Sequence, residues 1–258
     1  MILAITRVRF AEVLAWRTEF LLWLMTLTMP LIMLVFWRAV AREGRFGSYD
    51  ATDLSGYFLA VLAVTLLTEC NAVWNINEEI RTGELSFWLI KPMHPLLGYA
   101  TITLAELPLR MIVALPVLAA AVALSLDHGT MQLPARLTLG TVAIAGGLAI
   151  NQAVQIIVGS LGFWITKSVM VHRLIGTISS VTSGFMFPIA FLPDGVRDIA
   201  LWLPFRFILS LPIELMTGRH RLDAALGLLA AQAVIAVAFN LVAFAVWRHG
   251  VRRYEAYG

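Results

Sequence analysis

Several long stretches of this chain carry no charged side chain, and that feature restricts the fold more than any other. Residues 21–37, 137–166, 174–193 and 224–247 are uncharged. A fifth run lies between Asp53 and Glu78 and is interrupted only by Glu69, and a sixth, 98–126, holds Glu106 and Arg110. A hydrocarbon core about 30 Å thick is crossed by about 20 apolar residues in helical form. The spacing therefore predicts an all-α polytopic membrane protein with six transmembrane helices. Composition agrees, with 60% hydrophobic and 14% charged residues, where soluble domains carry about 25% charged. A soluble enzyme and a disordered chain are poor fits on these grounds. The 19 Lys and Arg residues are scattered between apolar runs and make no basic stripe, so no nucleic-acid partner is expected. Cys70 is the single cysteine, so one chain cannot form a disulfide or a paired-cysteine metal site.

Six spans place both termini on one side. With the termini inside, ten basic residues fall in cytoplasmic segments and eight outside, and Arg248, Arg252 and Arg253 follow the last span directly. That asymmetry favours cytoplasmic termini. No cleaved leader is expected at the N-terminus. Residues 1–19 read as a helix before the first span. The charges at 7, 9, 12, 17 and 19 do not gather on one helical face. A surface-lying helix and a plain extension of span one both fit. No internal repeat or long linker divides the chain, so 1–258 is read as one membrane domain.

Three places depart from a plain bundle. Between spans two and three, Glu78, Glu79, Arg81 and Glu84 sit beside Ile80, Leu85, Phe87, Trp88 and Leu89, and Pro92 and Pro95 close the segment. A short helix with one polar and one apolar face suits docking to a soluble partner, and an interfacial loop helix fits the same composition. Residues 184–216 are apolar, yet prolines at 188, 193, 204 and 212 cut them into pieces too short to cross a bilayer. Irregular backbone is excluded from lipid unless protein or water covers it, so short helices packed against the spans are expected. The third place is the set of intramembrane charges. Each costs about 3 kcal/mol at the bilayer centre on insertion scales. Glu106 and Arg110, four apart, can pair on one helix face. Glu69 has no such evident partner in sequence and is a candidate proton or ion site.

Small and amide residues recur every four positions at Gly147, Asn151, Gln155 and Gly159, and at Gly176, Ser180 and Gly184 with Ser183 beside them. The spacing suits close helix packing and interhelical hydrogen bonds. The second set also suits a subunit seam or a transport path. Catalytic chemistry is not evident. The stretch from Gly162 to Lys167-Ser168 imitates a phosphate loop, but Thr166 stands at the glycine position. The five histidines show no metal-ligand spacing. The chain is thus expected to be no enzyme and to hold no cofactor or metal of its own.

Two motifs at matching places carry a family resemblance. The stretch 78–95, with its acidic Ile-Arg-Thr-Gly turn and Leu-Ile-Lys-Pro end, is similar to the segment after span two of ABC-2-type permeases, the transmembrane subunits of ATP-binding-cassette exporters. The stretch 183–193, followed by Leu203-Pro204-Phe205, resembles their segment after span five. The resemblance implies a bacterial cytoplasmic-membrane transporter of two permease subunits, as a homodimer or heterodimer, and two nucleotide-binding ATPase subunits that bind ATP and Mg²⁺. It implies a connecting helix at 1–19, a coupling helix at 76–90 and re-entrant outer-leaflet helices at 186–216. ATPase contact then falls to Glu78, Glu79, Arg81, Gly83, Glu84, Leu85 and Trp88, and the seam to Gly176, Ser180, Ser183 and Gly184. The competing reading is an ion-coupled secondary transporter that uses Glu69 or the Glu106–Arg110 pair.

Overall fold

The structure, a computed structural model, describes residues 28–41, 49–126, 132–165 and 168–254. The expected connecting helix at 1–19 lies outside the described residues. Every regular element among the described residues is helical. In chain order they are α1 (Thr28–Val40), α2 (Ala51–Thr68), α3 (Ala72–Thr82), α4 (Leu85–Leu89), α5 (Pro95–Leu124), α6 (Leu133–Ser160), α7 (Ser168–Thr182), α8 (Asp194–Trp202), α9 (Pro204–Ile208), α10 (Ser210–Met216) and α11 (Leu222–Val251). Short 3₁₀ turns follow α6 at Leu161–Phe163 and precede α8 at Ile189–Phe191.

Four helical stretches are long and apolar enough to cross a membrane: Ala51–Thr82, Pro95–Leu124, Leu133–Phe163 and Leu222–Val251. Their starts follow local rules. Asp50 and Asp53 form a reciprocal capping box on α2, each side chain accepting from the other's backbone N–H at 2.7 and 3.2 Å. The side chain of His94 accepts from the Leu96 N–H at the head of α5, where Pro95 needs no donor partner. Asp223 stands in the first turn of α11 and Arg248 in its last, matching the helix dipole.

The packing places α2 against α5, α11 against α6, and α1 against α2. Leu54, Tyr57, Val61 and Val64 of α2 are fully or nearly fully buried and form one core with α5 and α10. A second core joins Ile76 and Leu85 to Tyr99, Ile156 and Trp247, at the end of the bundle where α5 begins and α6 and α11 finish. A third, at the other end, seats Phe207, Leu211 and Leu215 between α6 and α11.

Two of the expected runs are not single helices. The run from Asp53 to Glu78 breaks at Glu69, whose ψ of 139° turns the chain out of the helix, and helix resumes at Ala72. The run 174–193 is also divided. Its helix starts earlier, at Ser168, ends at Thr182, and gives way to a turn through Gly184 at φ +90°. Only glycine enters that region without steric cost. The proline-cut segment that follows forms short helices, as its spacing predicts, and α9 and α10 lie against α6.

Candidate functional site

The segment joining α2 to α5 is a compact elbow. α3 ends on Gly83 at φ +82°, the left-handed conformation that stops a helix. The Ser86 N–H donates to the Gly83 carbonyl and that of Phe87 to the Glu84 carbonyl, at 3.2 and 3.0 Å, which starts α4 at once. The elbow has two faces. On the inner face Leu85 is wholly buried in the core formed with Tyr99 and Trp247. Trp88 lies against the first turn of α5, where a Cβ at Gly98 would come within 2.8 Å of its ring. The Tyr99 hydroxyl donates to the Glu79 carboxylate. Each of these contacts ties the elbow to α5. On the outer face Glu78, Arg81 and Glu84 are exposed, and Arg81 pairs with Glu78 at 2.7 Å. Phe87 is 65% exposed and Ile90 81%.

The residues expected to contact a partner therefore divide. Glu78, Arg81 and Glu84 are available at the surface. Glu79, Leu85 and Trp88 face the bundle, and Gly83 shapes the turn between α3 and α4. Phe87 and Ile90 complete the outer face and stand outside the set expected from the sequence. Their signal is present there, since two large apolar residues flank a charged turn that ends in proline.

Above the elbow the break at Glu69–Asn71 is held by side chains from two neighbouring helices. Arg110 of α5 donates to the Glu69 carbonyl and, from its other nitrogen, to the Glu106 carboxylate. From α6, Asn151 donates to the Thr68 carbonyl at 2.7 Å, and Gln155 donates to the Cys70 carbonyl while accepting from the Val73 N–H at 3.2 Å. Cys70 and Thr103 both donate to the Gln152 carbonyl oxygen, at 2.7 and 2.9 Å. Four backbone groups at the break, the carbonyls of Thr68, Glu69 and Cys70 and the Val73 N–H, thus find side-chain partners within the protein, as apolar surroundings demand. Arg110 is 5% exposed and serves as a cap on this break. The expected Glu106–Arg110 pairing is present, and it is joined to the break through the Glu69 carbonyl.

The four-residue stripe on α6 is likewise spent inside the chain. A Cβ at Gly147 would lie 2.7 Å from the Ile208 carbonyl, and one at Gly159 would lie 3.0 Å from Ile76. The stripe lets α9 and α3 approach closely while Asn151 and Gln155 hold the break between them.

The family described as ABC-2 family transporter protein matches residues 22–258. The chain belongs to that family. No curated protein matches it. As an ABC-2 transporter protein it is a membrane component and not itself an enzyme, and the family implies association with an ATP-binding subunit.

The expected seam of this permease divides as the elbow does. Gly176 is exposed, and a Cβ there would meet nothing within 4 Å. Ser180 lies one turn on, its hydroxyl returned to the Thr177 carbonyl at 2.7 Å. Ser183 and Gly184 are buried. The Gly184 carbonyl accepts from the Tyr57 hydroxyl at 2.7 Å, so this part of the set is engaged by α2 of the same chain. The end of the bundle away from the elbow carries its own polar network. Arg219 pairs with Asp53 at 3.1 Å and lies over the Tyr49 ring at 3.7 Å. Glu214 accepts from Ser210 and pairs with His220 at 2.7 Å. Arg136 is 2% exposed, and donates to the carbonyls of Ser125 and Met216 at 2.9 and 3.2 Å. From sequence it counts among the cations outside the spans. At the first turn of α6 it reaches the ends of α5 and α10, and those contacts enclose it.

Proposed function

We propose that this chain is the transmembrane subunit of an ATP-driven exporter, and that the elbow at 76–90 is the coupling element gripped by a separate nucleotide-binding subunit. The supporting observation is the division of the elbow into two faces. Its inner face is pinned to α5 through Glu79–Tyr99, Leu85 and Trp88, while Glu78, Arg81, Glu84, Phe87 and Ile90 are left outward. A mixed charged and apolar tip on a firmly anchored base suits a lever.

In this reading six spans cross a bacterial cytoplasmic membrane with both termini inside, and residues 186–216 lie re-entrant in the outer leaflet. Two permease subunits meet through the open face around Gly176 and Ser180 and pair with two ATPases, which bind ATP and Mg²⁺. ATP-driven closure of the ATPases moves both elbows, and the seam switches between closed and open. Substrate or nucleotide shifts that equilibrium only by its differential affinity for the two states.

The test is the variant R81A/F87A, which alters the outer face and leaves the anchoring contacts in place. Co-purification with the ATP-binding subunit is expected to fall by about tenfold or more, as for loss of interface residues each contributing above ~1 kcal/mol. Failing that, ATP hydrolysis is expected to continue without transport. A double variant that retains its ATPase and transports at the normal rate would overturn the assignment of the elbow.

A further inference from the structure

A cavity of about 530 Å³ opens beside the elbow, between the 89–95 segment and the last two turns of α11. Its polar wall is entirely basic. Lys91 and His94 come from the elbow side, Arg248 and Arg252 from the end of α11, and none of the eleven lining residues is acidic. Among the described residues none of these four side chains pairs with a carboxylate. Lys91 is held in place over the Trp88 ring, 3.9 Å from its centroid. The remaining wall is apolar and includes Trp247, which is buried, and Phe244, which is 47% exposed and lies 5.9 Å from the His94 ring.

We propose that this cavity binds the phosphate headgroup of an anionic phospholipid. Lys91, Arg248, Arg252 and His94 converge where α5 begins and α11 ends, the level at which long apolar helices leave a membrane. Glu79 on the elbow offsets part of the charge of Lys91, but no carboxylate lines the cavity between Lys91 and the arginines of α11, so these cations repel one another across it. A phosphodiester bridging Lys91 and Arg248 reverses the sign of that interaction, and arginine offers it paired N–H donors. A lipid is favoured over a soluble anion by what continues from the cavity. Val237 and Leu241 are 61% and 65% exposed, and with Phe244 they form an outward apolar stripe at helical spacing that runs up α11 from Arg248. An acyl chain attached to the bound headgroup lies along that stripe. The lipid so placed ties the coupling segment to α11 and makes the elbow's position depend on the charge of the surrounding leaflet.

The full chain is reconstituted in nanodiscs of mixed phosphatidylglycerol and phosphatidylcholine, and lipid retained on release is measured by native mass spectrometry. Phosphatidylglycerol is expected to be retained in preference to phosphatidylcholine. The variant K91Q/R248Q/R252Q is expected to lose about a hundredfold in affinity for it, given the known worth of each basic residue near an anionic surface. R252Q alone, at an exposed position past the helix end, is expected to lose about fivefold and serves if the triple variant misfolds. The control R197Q/R221Q, which removes cations remote in sequence from the cavity, is expected to retain the lipid. Equal retention of both lipids, or unchanged retention in the triple variant and in R252Q, overturns the proposal. Displacement of the lipid by millimolar inorganic phosphate would show a site for free anions and overturns the lipid assignment. Loss of the lipid upon assembly with the ATP-binding subunit would give the cavity to that subunit and equally overturns it, while leaving the coupling reading intact.

Discussion

Gly184 occupies a left-handed conformation, and a Cβ there would lie 2.5 Å from the Tyr57 hydroxyl. Both facts oppose any side chain. Gly184→Ala is expected to destabilise the protein by about 1–3 kcal/mol through backbone strain and overpacking. Tyr57→Phe removes one buried hydrogen bond and is expected to cost about 1 kcal/mol. The double variant is expected to cost less than the sum, because the phenylalanine has no hydroxyl for the new methyl to meet. Thermal denaturation in detergent would measure the cycle, and strict additivity would show that the two residues do not share this contact. In sequence Gly184 groups with Gly176 because the two fall on one four-residue spacing. That spacing holds only while the helix continues. Helix ends at Thr182, so Gly184 belongs to a turn and not to the stripe. The elbow residues are legible for the opposite reason. Charged residues, a glycine and two prolines inside an apolar chain have few places to go, and they mark a surface turn. Which of them face inward is not legible, because Glu79 turns to the bundle only by meeting Tyr99, twenty residues on.

Among the elements, the one that most alters the bundle is the interruption between α2 and α3. The apolar runs can be read as helices because length and hydropathy suffice for that. The interruption cannot, since Glu69-Cys70-Asn71 contains neither proline nor glycine. What stabilises it is distant: Arg110, Asn151, Gln152 and Gln155 arrive from α5 and α6. Their partners are mostly backbone groups, and such pairings leave no pattern in the sequence. Arg110→Leu is expected to cost about 3–5 kcal/mol by leaving Glu106 and the Glu69 carbonyl without this donor in a buried site. Hydrogen exchange at residues 69–73 is expected to accelerate in that variant, while exchange in the middle of α11 stays as it was. Uniform acceleration throughout the bundle would mean that Arg110 supports the whole fold and not the break in particular. Arg110→Lys is expected to rescue little, since a single ammonium cannot reproduce the forked contact with two acceptors.

On the scale of the whole molecule the two ends differ in kind. The end away from the elbow is closed by partly buried polar pairs, Asp53 with Arg219 and Glu214 with His220, whereas the cations that line the cavity at the elbow end are exposed. α7 differs from both, with Gly176, Thr177 and Ile178 exposed. If that surface is the seam between two permease copies, Gly176→Leu should hold the helices apart. The dimer is expected to weaken by about tenfold or more, from an overpacking cost of ~1–3 kcal/mol. Mass photometry across a dilution series would report it. An unchanged dimer would place the seam on another helix.

The interruption above the elbow bears on how any stroke would travel. A rod with a joint in it cannot push along its own axis, because thrust applied below the joint bends it. Motion of the lower piece must leave sideways, through the side chains that grip the joint, and those belong to two other helices. If the elbow is the driven element, the permease would be geared more like a crank than a piston: displacement at that handle would reach three shafts together, and loosening any one grip would introduce play into all of them.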